Sequence, residues 1–171
     1  VFLDKLFDEL GLEDFFRSYK GFSKIQYDVL NFTRLLVYGR ILNPDSKIAT
    51  LEQNNDYYTP LLKNFNKYNV YDTLDFIYEN KEKIIRRMNT SLVKKWHRNP
   101  EIIFYDVTNF FFETSDPDED IFDEDGNIIE TGIRKMGVSK ENRKQPIVQM
   151  GLFMDDQGLP ISIAVSYTHL R

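Results

Sequence analysis

Along residues 1–98 the apolar positions recur at intervals of three and four, and beyond residue 100 they alternate or run together, so the pattern predicts helices first and strands afterwards. Leu3, Leu6, Phe7 and Leu10 stand at helical spacing and stop at Gly11, a residue suited to the left-handed position just past a helix end. Leu12 to Tyr19 predicts another turn or two before Gly21. Ser23 is the candidate cap of a longer helix that carries Ile25, Val29, Phe32, Leu35 and Leu36 on its apolar face and ends near Arg40. Asn43-Pro44 predicts Pro44 at the start of a further helix with Ile48 and Leu51. Asp72 is the candidate cap of one long helix, with Leu74, Ile77, Ile84, Ile85, Met88 and Leu92 facing one way and Lys81, Lys83, Arg86 and Lys95 the other. That helix is expected to end near Trp96, with His97 closing its C-terminus.

The period then changes. Glu101 to Tyr105 is an apolar, β-rich run, and Asn109 to Glu113 holds three successive phenylalanines. Ile102-Ile103-Phe104-Tyr105 reads as a strand buried on both faces that ends at Asp106. Pro146 to Met154 and Leu159 to Val165 predict two strands joined by Asp155-Asp156-Gln157-Gly158, with both aspartates as turn residues. Helices followed by an antiparallel sheet make an α+β chain, divided into a helical region 1–99 and a sheet-forming region 100–165.

Composition narrows the chemistry. Hydrophobic residues are 42% of the chain, enough for a folded core. Without cysteine there is no disulfide, thiolate nucleophile, zinc ribbon or iron–sulfur cluster, so any metal is a hard one held by carboxylates or histidine. No apolar run approaches the ~18 residues that span a bilayer. Asp4, Lys5, Asp8 and Glu9 break any signal-peptide core, so the expectation is a cytoplasmic protein without a membrane partner. The chain also starts at Val1 within an amphipathic pattern, without initiator Met or cap, which predicts a piece of something longer.

Charge is distributed unevenly. The formal net charge is −5, yet Glu113 to Glu130 contains nine acids and no base, so the chain without that insertion is net +4. With Pro117 and Gly126 the segment 113–130 reads as a solvated insertion. Placing Gly126 at the sixth position of a calcium loop puts Ile121 first and Gly132 twelfth, so the calcium pattern fails. Directly after it, Gly132 to Lys144 carries Arg134, Lys135, Lys140, Arg143 and Lys144 against Glu141. Cations interleaved with Gly and Ser suit phosphate contacts, while the competing reading is a solvated loop whose bases pair with the preceding acids. Asp106 also has two readings. A carboxylate closing a buried strand costs several kcal/mol unless compensated, which a metal ion would do; alternatively it accepts hydrogen bonds from Thr108 and Asn109 in an Asx turn.

Three elements in order carry a resemblance: Asp106-Val107-Thr108 at the end of a hydrophobic strand, Gly137-Val138-Ser139-Lys140-Glu141-Asn142-Arg143, and Gly151-Leu152-x-x-Asp155-x-x-Gly158-x-Pro160. With Arg40-Ile41-Leu42-Asn43-Pro44-Asp45-Ser46-Lys47 upstream, residues 1 to about 165 resemble the DDE-type insertion-sequence transposases of the group related to insertion sequence 4 and insertion sequence 1634. The resemblance implies a ribonuclease-H-like catalytic domain whose first strand offers one of three acidic metal ligands, matching Asp106. It implies two Mg²⁺ or Mn²⁺ ions in the complete enzyme, which cleaves and joins DNA, and a homo-oligomer acting on transposon ends and target, in a bacterial, nucleoid-associated setting. Asp106 is then catalytic and metal-binding, Thr108 and Asn109 support its loop, and Ser139, Lys140 and Arg143, with Arg134, Lys135 and Lys144, meet the DNA backbone.

The match stops short of the family's pattern. The strand at Ile161 to Val165 should lead into Gly-Asn and a second catalytic Asp, with a Glu much further on; here the chain runs Ser166-Tyr167-Thr168-His169-Leu170-Arg171. The expectation is a catalytic domain incomplete at its C-terminus, a tail 166–171 foreign to the gene, and no cleavage activity from this chain alone. The alternative is a non-catalytic DNA-binding or interaction fragment, and a soluble α+β domain without a nucleic-acid role is a third reading.

Overall fold

The computed structural model describes residues 2–20, 25–99, 101–137 and 145–166. It divides into two units, Val1–Arg98 and Asn99–Arg171.

The first unit is helical: α1 (Phe2–Glu9), α2 (Leu12–Lys20), α3 (Val29–Leu42), α4 (Lys47–Glu52), a 3-10 turn Gln53–Asp56, α5 (Asn69–Glu79) and α6 (Lys81–Trp96). Gly11 joins the first two helices at φ +72°, and a Cβ there would lie 2.6 Å from Arg87 Nε. Arg87 uses that approach, donating from Nε to the Gly11 carbonyl at 3.1 Å and from Nη2 to Asp14 at 3.1 Å.

Three helix starts differ from the sequence pattern, each for a local polar reason. α3 begins at Val29 because Asp28 caps it, its carboxylate accepting from the Asn31 amide at 3.2 Å and from Asn31 Nδ2 at 2.9 Å; Ser23 lies outside the described residues. Pro44 does not start α4. Ser46 caps that helix, its hydroxyl accepting from the Ala49 amide at 3.2 Å. The long helix expected from Asp72 is two helices broken at Asn80, whose buried side chain donates to the Phe76 carbonyl at 2.9 Å and so competes with the helical ladder. Asp72 lies inside the first turn of α5 and accepts from Asn69 Nδ2. The far end of α6 is as expected, with His97 in the left-handed region at φ 51°.

Phe7, Phe16, Val29, Leu30, Tyr38 and Phe76 form one buried cluster, and Phe32, Leu35, Leu51, Leu62 and Val70 another. Arg34 packs its guanidinium 5.3 Å from the Phe7 ring centre while bonding Glu13 at 2.5 Å.

The second unit holds β1 (Phe104–Phe111), β2 (Ile121–Phe122), β3 (Ile128–Glu130), β4 (Ile147–Met154) and β5 (Pro160–Ser166). β1, β4 and β5 form an antiparallel sheet in that order, and β2 pairs with β3 in a separate two-stranded ladder. The chain is thus α+β, with the β4–β5 hairpin where the sequence predicts it. Asp155 in its turn is buried, its carboxylate accepting from the Leu159 amide at 2.8 Å and the Gln157 amide at 3.0 Å, and Gly158 supplies φ +77°. Among the described residues no helix is long and apolar enough to cross a membrane.

Leu35 is fully buried in its cluster. Leu35→Ala should therefore lower unfolding free energy by about 2–5 kcal/mol in a urea titration; a loss within ~0.5 kcal/mol, the surface-substitution range, would contradict this core assignment.

Candidate functional site

Asp106 does not close a buried strand. β1 runs unbroken from Phe104 through Asp106 to Phe111, and Asp106 stands opposite Leu152 of β4. Two-residue alternation puts Phe104, Asp106, Thr108 and Phe110 on one face and Tyr105, Val107, Asn109 and Phe111 on the other. Among the described residues β1 pairs with β4 alone, and the apolar run that reads as buried is open: Phe104 is 56% exposed and Tyr105 45%. Asp106 itself is exposed. The desolvation argument for a metal at this carboxylate therefore falls, and so does the Asx turn, because the backbone is extended.

Thr108 shares the face of Asp106. Asn109 does not support it; on the opposite face its Oδ1 accepts from Gln149 Nε2 at 3.0 Å. That face also explains the glycine of the hairpin motif. Gly151 stands opposite Val107, and a Cβ there would meet the Tyr105 ring at 2.7 Å, so the ring lies across bare backbone and packs on Phe153 with centres 4.7 Å apart.

The acidic segment is less irregular than its composition suggests. β2 and β3 make a small hairpin whose turn is held by Asp123: its carboxylate accepts from the Asn127 amide at 2.7 Å and the Asp125 amide at 3.0 Å, and Gly126 takes φ +82°. Those contacts, with the Asn127 side chain first among them, hold the Asp123 carboxyl below its usual range.

The start of the basic segment is strapped to these acids. Arg134 engages Asp118 through Nε at 2.7 Å, through Nη2, and through its backbone N–H at 2.9 Å, while the Asp118 amide donates to the Arg134 carbonyl at 2.8 Å. Lys135 Nζ donates to Asp120 at 2.7 Å and to the Asp118 carbonyl at 3.0 Å. Gly132 donates its amide to Asp120 at 2.8 Å, and a Cβ on it would sit 2.5 Å from the Asp118 carbonyl oxygen. Of the two readings of the basic segment, pairing with the preceding acids describes Arg134 and Lys135 here. Ser139, Lys140, Arg143 and Lys144 lie outside the described residues.

The strap is anchored to the sheet. Lys135 and Ile147 exchange backbone hydrogen bonds at 3.2 and 2.9 Å, Phe112 donates its amide to the Pro146 carbonyl at 3.4 Å, and the Arg134 guanidinium lies 5.6 Å from the Phe112 ring centre. Since Ile147 also stands opposite Phe111, the cations sit by the far end of β1 from Asp106. Asp106 and Phe111 are five residue steps apart along β1, about 17 Å at ~3.3 Å per residue.

The expected metal chemistry needs convergent carboxylates. Among the described residues no three side chains of His, Cys, Asp or Glu gather at one point, so the ligand set here does not fit a two-ion centre. The sequence pattern points to the preceding acids only as a group; the partners are Asp118 for Arg134 and Asp120 for Lys135. No protein-family model, curated protein or solved structure matches this chain.

The Arg134 side chain and its backbone N–H hold the Asp118 carboxyl down at about 2. Being depressed, this group contributes stability that is complete above its unfolded value, ~3.9, and is lost as pH falls from about 4 toward 2. A carbon-detected pH titration should find the Asp118 midpoint near 2 and a higher one in Arg134→Gln, which removes the guanidinium and keeps the backbone donor. Equal midpoints in both proteins would show that the guanidinium is not the cause.

Proposed function

We propose that this chain carries the opening part of a ribonuclease-H-like catalytic domain from a DDE-type insertion-sequence transposase, and that its own activity is binding DNA rather than cutting it. One observation supports the reading above the rest. The Asp-x-Thr segment and the Gly-Leu-x-x-Asp-x-x-Gly-x-Pro segment, distant in sequence, are adjacent antiparallel strands, with Asp106 exposed on one face and the basic segment leaving the sheet beside Ile147. Motifs related only by chance composition have no reason to share a register.

The binding reading follows from charge and geometry. DNA affinity comes first from cations that replace condensed counterions on phosphates. Gly132 to Lys144 concentrates five such cations in a chain that is otherwise acidic. From Asp106 to Phe111 the ~17 Å of β1 corresponds to about five base-pair rises of ~3.4 Å, the scale of a short stretch of duplex. Ser139 adds a hydroxyl of the kind that contacts phosphate oxygens.

Strand cleavage and transfer belong to the complete enzyme of this reading, where two further acids join Asp106 to hold Mg²⁺ or Mn²⁺. With one such carboxylate, no step through a metal is assigned to this chain. Thr108 lies two residues from Asp106 on the same face and is its nearest polar neighbour along the strand.

Arg134 and Lys135 are engaged by aspartates, so this reading assigns the segment's phosphate contacts to Lys140, Arg143 and Lys144, which lie outside the described residues. The wild-type chain should then bind duplex DNA with a log–log salt slope of about −2.7, at ~0.9 per contact, and fail to nick plasmid in Mg²⁺ or Mn²⁺. Salt-independent binding would refute the phosphate reading. Metal-dependent nicking lost in Asp106→Ala would refute the claim that this chain only binds.

A further inference from the structure

We infer that the acidic segment is a built-in competitor for nucleic-acid phosphate: Asp118 and Asp120 occupy the donors that a DNA phosphodiester takes when the segment leaves. This rests on the DNA-binding reading above and adds a gate to it.

The donors already form an anion site. The Gly132 amide, the Arg134 amide and guanidinium, and the Lys135 ammonium converge on two carboxylates within about one residue of each other, and each carboxylate receives both a backbone N–H and a side-chain cation. Two backbone donors with a forked guanidinium and a point ammonium are the combination that recognises phosphate as readily as carboxylate. Gly132 lets the occupying chain approach to a distance that no side chain would allow.

The occupant is replaceable. The Arg134 and Asp118 side chains are 39% and 27% exposed, and those of Lys135 and Asp120 27% and 26%, so the pairs are screened by salt and open to an incoming anion. The occupying segment has little else to hold it. Ile121, Phe122, Ile128 and Ile129 of its hairpin are all more than half exposed, so it has no buried core of its own. Its remaining acids, including Glu119, Glu124 and Asp125, are exposed and would repel a duplex approaching the same cations. In this arrangement the segment lowers affinity twice, by filling the donors and by adding negative field beside them. Displacement would free two cations already anchored to the sheet at Ile147.

The test compares wild type, Asp118→Asn/Asp120→Asn, that pair combined with Arg134→Gln/Lys135→Gln, and Glu119→Gln/Glu124→Gln, which changes charge equally without touching the cations. Each full-length chain is titrated with a 20-bp duplex across a salt series. The Asp118→Asn/Asp120→Asn protein should bind about tenfold tighter or more, with a slope steeper by about 1.8 for two added phosphate contacts. The gain should vanish when Arg134 and Lys135 are also replaced and stay below about threefold in the glutamate control, whose bulk-charge change is the same. If the double variant merely unravels the hairpin, the donors are freed all the same and the gain is still expected. No tighter binding by that variant, an equal gain in the glutamate control, or a gain that survives loss of Arg134 and Lys135 each overturns the proposal. Wild-type binding without a gain overturns the gate and leaves the DNA reading standing; no binding by any variant overturns both. A second measurement needs no substitution: titrating duplex into wild type should shift the Arg134 Nε–H resonance together with the Asp118 carboxyl carbon, and a bound complex in which both stay unmoved contradicts the exchange.

Discussion

The antiparallel ladder between Phe104–Phe111 and Ile147–Met154 constrains almost everything else in the second unit. Because side chains alternate, its register decides which face carries Asp106, sets Asn109 against Gln149, and lays Tyr105 across Gly151. A slip of one residue would exchange the two faces and put a tyrosine where the carboxylate now stands. The same ladder brings Phe111 beside Ile147, so the chain that leaves at Phe112 must return at Pro146. Everything between is a closed excursion pinned at both ends, by the Phe112–Pro146 and Lys135–Ile147 hydrogen bonds. An acidic stretch and a basic stretch confined to one excursion will pair, and Asp118 with Arg134 and Asp120 with Lys135 are the result.

On the proposed reading this pairing lowers affinity for phosphate, and it has a structural return. Exposed ion pairs are individually weak, yet here each carboxylate also caps a backbone amide, so the pairs order a segment that would otherwise have nothing to pack on. Ordering by charge rather than by burial leaves the segment responsive to salt and to other anions. On the proposed reading that responsiveness is what lets the surface exchange one anion for another.

How much of this was legible in the sequence depends on whether the cause was local. The β4–β5 hairpin was legible because Asp155 and Gly158 dictate their turn; the helix end at Trp96 follows from helical period, and the stop at Gly11 from a residue that tolerates positive φ. The break at Asn80 was missed because apolar period runs across it; a side chain that competes for one carbonyl does not disturb spacing. The same holds for Asp28, which captures the start of α3 downstream of the apparent cap. At the candidate site the error was about burial. Ile102 to Tyr105 has the composition of a core strand, but burial is conferred by what packs on a strand's faces, and among the described residues these four side chains stay open. Asp106 is singled out by residue type and position alone, because its carboxylate is exposed and not desolvated. Partners for Arg134 and Lys135 were foreseeable only as a class, since nothing in spacing shows that the chain folds back at Asp123 to Gly126.

The most direct test of the account is where DNA touches this chain. Photocrosslinking to a duplex substituted with 5-bromodeoxyuridine, followed by peptide mapping, should place adducts within residues 104–112 and 132–147, on β1 and on the segment anchored at its end. Adducts confined to residues 2–98, or none from a chain that demonstrably binds the duplex, would contradict it.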